Sequence, residues 1–481
     1  MTATGATNPA DLGVLEAAAL LRSRSLSAVE LLDACQARIA ARNGGEPTFD
    51  GAPDAINAWV RLYPGLALEL ARAADERLAG DPGGASPVCG IPLALKDLFA
   101  VRGLPVTASS RVLEGSVADA DSAAWWRLRE RGMVLLGHTH THEFAAGGTT
   151  DQVGNPWAVD RSSGGSSGGS AAALAAGMAP AAIGTDTAGS VRIPAALSGV
   201  SSIKATYGRV PDEGCIPLAP SLDHVGPMAR TVADCVPLMV ALATEPGSDP
   251  DPTIARLPVA PRPGPRPLEG VRIAITDRPD GVDTEADVLD RLDDARRACE
   301  RLGAEVVELA AAPDVEPEDS VTIMFHDVWR YHSGLVDSAD RYRESIREFV
   351  DIARRVHDPV AYDAAQQRRE HVAEGWRAWF AEHRIDALLE PTVPMTAPLR
   401  GDGYDPGHLG GEGDPLIAFT ATWNFTRFPV VTLSAGAGPR TGLPVGASLI
   451  GPPDAEPVLV QIAIDLQAGE LPPPRPPAAL R

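Results

Sequence analysis

Three serine patterns in this chain could support nucleophilic chemistry. Gly164-Gly165-Ser166-Ser167-Gly168 satisfies G-x-S-x-G, the elbow that presents a serine at the end of a strand. That elbow needs a hydrophobic strand before it, and Asn155-Pro156-Trp157-Ala158-Val159-Asp160-Arg161 is a poor one. Ser201-Ser202-Ile203-Lys204 satisfies S-x-x-K, but the K-T-G that accompanies it is absent, so Lys204 reads as a structural or surface charge. The third pattern is a pair of loops between Asp160 and Pro194. Gly164 to Ser170 runs into a small-residue helix, Ala171 to Gly177, and an apolar turn leads to a second loop, Gly184 to Ser190, closed by Arg192 and Pro194. A Gly/Ser linker stays polar and does not alternate with Ala-rich helix. The loops are poor phosphate cradles too. A P-loop continues Gly-Lys-Ser/Thr, whereas Ser170-Ala171-Ala172 follows here, and a dinucleotide fingerprint needs a leading strand that is missing.

The elements that must position these loops follow a β-α rhythm. Residues 10–43 read as helix, with a Ser27/Glu30 capping box and Ala28, Leu32, Cys35 and Ile39 on one face. Ile56 to Leu62 is strand-like, and Pro64 to Ala79 is helix. Pro87 to Ala100 is a short buried strand carrying one charge pair, Lys96 and Asp97. Ser122 to Arg131 is helix and Gly132 to Gly137 a core strand. Thr231 to Thr244 is a helix that Pro237 should kink. Beyond a Pro-rich stretch come a strand (Val271 to Thr276), a charged helix (Thr284 to Leu302), a strand (Glu305 to Leu309) and a mostly helical region, 318–384. Ala387 to Leu389 and Val430 to Leu433 are buried strands. This pattern favours a mixed sheet with helices on both faces.

The bulk properties exclude several classes. With 481 residues and 44 % apolar content the chain can bury a sizeable core. A formal net charge of −22 argues against a nucleic-acid groove, which needs clustered Lys and Arg. Five scattered cysteines without a C-x-x-C pair read as core thiols in a reducing cytoplasm. The N-terminus shows no secretion signal, and no run approaches the ~18 apolar residues of a membrane span.

Taken together, the motifs resemble the amidase signature family, serine amidases with a Ser–cis-Ser–Lys triad. The matching pieces are G-I-P-L-A-L-K-D (90–97), T-H-E-F-A-A-G-G-T-T (141–150), G-G-S-S-G-G-S-A-A-A (164–173), G-T-D-T-A-G-S-V-R-I-P (184–194) and S-G-V…K-A-T-Y-G-R (198–209). The resemblance implies an α/β fold, a large twisted mixed β-sheet covered on both faces by α-helices. It implies one domain over 1–470, with 318–384 a helical insertion near the pocket; composition makes 245–268 a surface connector and 471–481 a disordered Pro-rich tail. Ser190 is then the nucleophile, Ser166 follows a cis peptide from Gly165, and Lys96 is the final proton acceptor.

These residue types suit that chemistry. A hydroxyl needs a base within hydrogen-bond reach, and no His lies in either loop. A lysine serves if burial disfavours its charge, and Lys96 sits among Ile91, Pro92, Leu93, Ala94, Leu95, Leu98 and Phe99. The competing reading is a core Lys96 paired with Asp97. Ser166 can relay, because a hydroxyl both donates and accepts; the bland reading makes Ser166 and Ser167 turn residues. The N–H groups of Thr187, Ala188, Gly189 and Ser190 can form an oxyanion hole, with Ala188 standing where most relatives carry Gly. Gly165, Ser167, Asp186 and Arg192 read as support, the last two as a pair holding the loop.

The resemblance implies amide hydrolysis that releases ammonia or an amine, in the cytoplasm, on a small-molecule amide, without cofactor, metal, nucleic acid or membrane. A homodimer stays open. The alternative is the glutaminase (A-type) subunit of a tRNA-dependent amidotransferase. His138, His140 and His142 alternate, but the family places this stretch in a loop, which disfavours a metal site. Glu390 and Arg427 depart from the family pattern. If either faces the pocket, the substrate carries a polar group, and both count against the amidotransferase reading. Phe325 and Trp329 are candidate pocket aromatics, with core packing as the alternative.

Overall fold

The computed structural model describes residues 8–278, 282–311, 317–401 and 414–476. Its strands, in chain order, are β1 Trp59–Leu62, β2 Pro92–Lys96, β3 Val134–Thr139, β4 Gly154–Asn155, β5 Ala158–Ser162, β6 Ala181–Asp186 and β7 Ser201–Lys204. They continue with β8 His224–Ala229, β9 Arg272–Thr276, β10 Glu305–Leu309, β11 Ala387–Pro391, β12 Val430–Ala437 and β13 Pro444–Ile450. Eleven of them form one sheet in the order β1-β3-β2-β6-β8-β7-β12-β13-β11-β9-β10, while β4 and β5 pair separately. The sheet is mixed, as expected. β2 runs parallel to β3 and β6, and β9 parallel to β10 and β11, whereas β6–β8, β8–β7, β7–β12 and β12–β13 are antiparallel.

Burial follows from composition. Strands β2, β3 and β6 are buried along their whole length. They read Pro-Leu-Ala-Leu-Lys, Val-Leu-Leu-Gly-His-Thr and Ala-Ala-Ile-Gly-Thr-Asp, the near-continuous small and apolar runs of a sheet covered on both faces. One cluster running from Leu12 to Leu471 packs helices Ala28–Arg42, Pro64–Gly80, Gly168–Ala175 and Val232–Ala243 against this sheet. The Ser27/Glu30 capping box forms as read. A second cluster joins Leu98, Ala108 and Phe144 to Phe325, Val328, Ile346 and Phe349, so the helical region at Pro317–His332 and Glu344–Val356 packs over the loop that follows β2.

Several boundaries differ from the reading. The helix expected over 10–43 breaks into Val14–Arg22 and Ala28–Arg42. The first loop turns helical at Gly168, and Gly184, Thr185 and Asp186 belong to β6. β8 and β13 and the helix Glu456–Gly469 were not anticipated; β8 carries Gly226-Pro227 and β13 Gly446, residue types that usually weaken a strand. Pro227 nonetheless stands opposite Ile183 within the sheet. In the described part of the Pro-rich end, Leu471 is buried and Pro474 lies beside Gly199. Residues 477–481 lie outside the described residues. No described helix is long and apolar enough to cross a membrane.

Candidate active site

Lys96 is the last residue of β2 and is fully buried. Alternation along the strand sends it and Asp97 to different surroundings. Asp97 accepts from Arg61 at 3.1 Å, from Thr107 Oγ1 at 2.5 Å and from Ser109 N at 3.0 Å. The core pair Lys96–Asp97 therefore does not form. Lys96 Nζ instead donates to Ser166 Oγ at 2.7 Å and to Thr185 Oγ1 at 2.8 Å. Burial pulls the Lys96 amine down from 10.5 to about 7, against smaller opposing effects of Cys215, Asp186 and Asp223. A neutral amine has two N–H groups and one lone pair. Two hydroxyl neighbours can satisfy the N–H groups, or a hydroxyl can donate into the lone pair.

The first serine loop is fixed by backbone contacts. The peptide between Gly165 and Ser166 is cis. A Cβ at residue 165 would sit 2.0 Å from the Thr149 carbonyl oxygen, so glycine is required there by a neighbouring stretch of backbone, a constraint the sequence did not reveal. The Ser166 carbonyl accepts from His142 N at 3.0 Å and from Thr150 Oγ1 at 3.2 Å. Ser167 N donates to the Ser190 carbonyl at 3.1 Å, and Ser167 Oγ to the Thr185 carbonyl at 3.2 Å. Ser167 thus ties the two loops together, and Lys96 bridges them a second time.

The second loop hangs on Asp186. Arg192 donates to both its oxygens, Nε at 3.0 Å and Nη2 at 2.9 Å, and Asn424 Nδ2 adds a bond at 2.9 Å. Burial alone would raise the Asp186 carboxyl; the Arg192 charge and hydrogen bonds outweigh it and hold it below the usual range. Asp186 also takes Gly189 N at 2.8 Å and Val191 N at 3.2 Å. Gly189 has φ +136°, and a Cβ there would meet Thr420 Oγ1 at 2.5 Å. Because Gly189 spends its N–H on Asp186, it leaves the expected oxyanion donors. The N–H groups of Thr187, Ala188 and Ser190 have no acceptor among the described residues. Thr187 Oγ1 is anchored at 2.5 Å to Asp223, which also accepts from Leu218 N and Ala219 N. Among the described residues no hydrogen bond joins Ser190 Oγ to Ser166 Oγ, although their loops are pinned together.

A cavity of about 70 Å³ opens at Ser190, Thr187 and Ala188 and is walled by Ile193, Leu218, Met324, Phe349, Ile417 and Asp414. Neither Glu390 nor Arg427 lines it. Glu390 is buried in β11 against Arg278 at 2.7 Å and Trp423 Nε1 at 3.1 Å. Arg427 lies over the Tyr207 ring at 4.2 Å. Phe325 packs on Phe349 in the core rather than lining the cavity. Lys204 is fully buried, not a surface charge. The histidines take separate partners: His138 contacts Tyr63 and the Phe99 carbonyl, and His140 contacts the Thr48 carbonyl and Ser109. Among the described residues no group of three or more His, Cys, Asp or Glu side chains could hold a metal ion. The reading of the sequence missed Thr185, Asn424, Asp223 and Asp414. Each is a lone polar residue in an ordinary context, and only folding brings it to the loops.

A covered mixed sheet with a desolvated lysine between two serine loops defines an α/β enzyme of the serine hydrolase class. The amidase family model matches residues 49–460, and the chain belongs to this family. It is 36 % identical to the A-type subunit of the glutamyl-tRNA(Gln) amidotransferase of Ralstonia nicotianae, over 92 % of this chain and 95 % of that one. With the corresponding protein of the same name from Acidothermus cellulolyticus it shares 34 % identity over 94 % and 93 %. Among solved structures it resembles 6-aminohexanoate cyclic dimer hydrolase complexed with substrate (TM-score 0.83, 27 % identity, 99 % of this chain and 100 % of that one). It also resembles the peptide amidase of Stenotrophomonas maltophilia (TM-score 0.78, 28 % identity, 97 % and 98 %).

Proposed function

We propose that the chain hydrolyses a carboxamide through an acyl-enzyme on Ser190. The carrying observation is the desolvated Lys96 amine bonded to Ser166 and Thr185, on loops that Ser167 pins to Ser190. Ser190 Oγ attacks the carbonyl carbon. Its proton passes to Ser166 Oγ, whose own proton passes to Lys96 Nζ. The N–H groups of Thr187, Ala188 and Ser190 take the charge that develops on the carbonyl oxygen. The proton returns through Ser166 to the leaving nitrogen, the C–N bond breaks, and ammonia or an amine departs. Water then attacks the ester by the same relay in reverse. The Ser166–Ser190 contact is expected to close with substrate bound, since catalytic hydrogen bonds tighten in the complex.

Under this reading the substrate is a small amide met without nucleic acid. The unpaired cysteines, Cys35, Cys89, Cys215, Cys235 and Cys299, suit the cytoplasm. A panel of aliphatic, aryl and amino-acid amides assayed with wild type and Ser190→Ala tests it, alongside fluorophosphonate labelling. Turnover retained by Ser190→Ala, or label on another residue, rejects it.

A second reading, the glutaminase component of a tRNA-dependent amidotransferase, is favoured by the 36 % identity to such a protein. Glu390 and Arg427 no longer count against it, because both lie off the cavity. Glutamine turnover that appears only with a partner protein would favour this reading over hydrolysis by the chain alone.

A further inference from the structure

We propose that the cavity at Ser190 selects short amides whose acyl chain is apolar and ends in a cationic amine, held by the Asp414 carboxylate. The proposal rests on the Ser190 reading and names the substrate class for that site. Ile193, Leu218, Met324, Phe349 and Ile417 give the cavity apolar walls, and Asp414 is the one charged side chain among its described lining residues. About 10–15 Å³ of such volume is the least that holds one water, so about 70 Å³ leaves room for a short acyl chain.

Asp414 is under-used by the protein. Its Oδ1 accepts from Leu416 N at 2.9 Å and its Oδ2 from Gly148 N at 3.2 Å. A carboxylate offers about four acceptor positions, so two remain. No cation pairs with it among the described residues. A carboxylate on an apolar wall without a countercharge is costly, and a ligand ammonium supplies the missing partner in a charge-assisted hydrogen bond. Burial pushes the Asp414 carboxyl up to about 6, which leaves it charged in mildly alkaline solution. An anionic acyl group meets the opposite situation. No Lys or Arg is among the described residues that line the cavity.

Asp414 also caps the short turn Pro415–Ile417 and pins Gly148, so a purely structural role must be separated from recognition. The test compares kcat/KM for 5-aminopentanamide, pentanamide and 4-carbamoylbutanoate at about pH 8, where the first is cationic and the last anionic. Wild type is expected to prefer 5-aminopentanamide over pentanamide by about tenfold or more, with 4-carbamoylbutanoate slowest. In Asp414→Asn the ratio of the first two collapses towards unity. Equal rates in wild type, a preference for the anion, or an unchanged ratio in Asp414→Asn overturns the proposal. Failure of the Ser190 reading looks different: no amide is turned over and no fluorophosphonate label appears on Ser190. Binding is then read in Ser190→Ala, where 5-aminopentanamide should raise the unfolding midpoint more than pentanamide, and equal shifts overturn it.

Discussion

Two lysines lie fully buried in neighbouring parts of one sheet, Lys96 at the end of β2 and Lys204 at the end of β7, and their partners set them apart. Burial pulls both amines below the usual lysine range. Lys204 Nζ is surrounded by the Phe428 carbonyl at 2.5 Å, the Ala205 carbonyl at 3.4 Å and His224 Nε2 at 3.3 Å. His224 Nδ1 faces the Leu222 carbonyl at 2.7 Å, which leaves Nε2 free to accept. The three acceptors hold the amine in place: the two carbonyls cannot pass a proton on, and the His224 ring is tied through Nδ1 to the Leu222 carbonyl. Lys96 meets two hydroxyls instead, and a hydroxyl hands on one proton as it receives another. Desolvation alone therefore does not make a base. A lysine is placed to act as one when a proton-exchanging neighbour lies on a loop pinned to the one that borders the cavity, as the Ser166 loop is through Ser167 to Ser190.

The largest effect expected is on Lys96 itself. Lys96→Met should lower kcat/KM by about 10³-fold or more at neutral pH, since on the proposed mechanism it removes the base. It should also stabilise the protein. The folded amine titrates near 7 and the unfolded one near 10.5, so between those values the unfolded chain binds a proton that the fold does not. Lys96 therefore makes wild-type stability rise with pH through that window, and its share of the slope should be lost in Lys96→Met. At neutral pH the gain is about 2–4 kcal/mol, from ~1.4 kcal/mol per pH unit less the two lost hydrogen bonds. Denaturant unfolding at several pH values checks it; a less stable Lys96→Met would mean that the amine is held for structure.

Lys204→Met should behave differently. It strands two buried carbonyl oxygens, at about 1–3 kcal/mol each, which opposes the gain from removing a desolvated amine, so it should be stabilised less than Lys96→Met. Activity per folded molecule, counted by active-site titration, should stay within about tenfold of wild type. If Lys204→Met abolishes turnover in folded protein, the distinction between the two lysines fails.

A subtler change sharpens the contrast. kcat/KM should rise with pH through about 7 as Lys96 loses its proton. Thr185→Val removes one acceptor of the Lys96 N–H groups and so disfavours the charged form. The rising limb should then move to lower pH by up to about one unit. A limb that stays in place would show that Thr185 does not set the amine's basicity.

Legibility in the sequence followed the same division. Lys96, Ser166 and Ser190 stood in runs of small and apolar residues whose order is hard to mistake, and the covered mixed sheet could be read from its buried strands. Thr185 was hidden because Gly184-Thr185-Asp186 reads as loop, yet these residues complete β6. β8 was hidden because Gly226-Pro227 looks like a turn, and tertiary pairing with β6 overrode local preference. Gly189 looked like an oxyanion donor, but the side chain of Asp186 folds back onto its N–H. Asp414 and Asp223 lay in stretches without pattern, and only the fold sets Asp223 on Thr187 and Asp414 in the cavity wall with Ser190.

Arg427 carries the smallest expected effect, and it separates charge in the sequence from charge in the site. Its departure from the family pattern pointed towards a polar substrate. In the fold its backbone has φ +68°, its guanidinium lies 4.2 Å from the Tyr207 ring centroid, and Glu370 is 3.6 Å away. A partly exposed stacking contact of this kind contributes about 0.5–1 kcal/mol, and it lines no part of the cavity. Arg427→Ala should cost that much stability and change kcat/KM for any amide by less than about twofold. A selective loss on amides with anionic acyl groups would instead put the guanidinium within reach of the acyl chain. That outcome would also undercut the selection assigned to Asp414, since the cavity would then contain a cation.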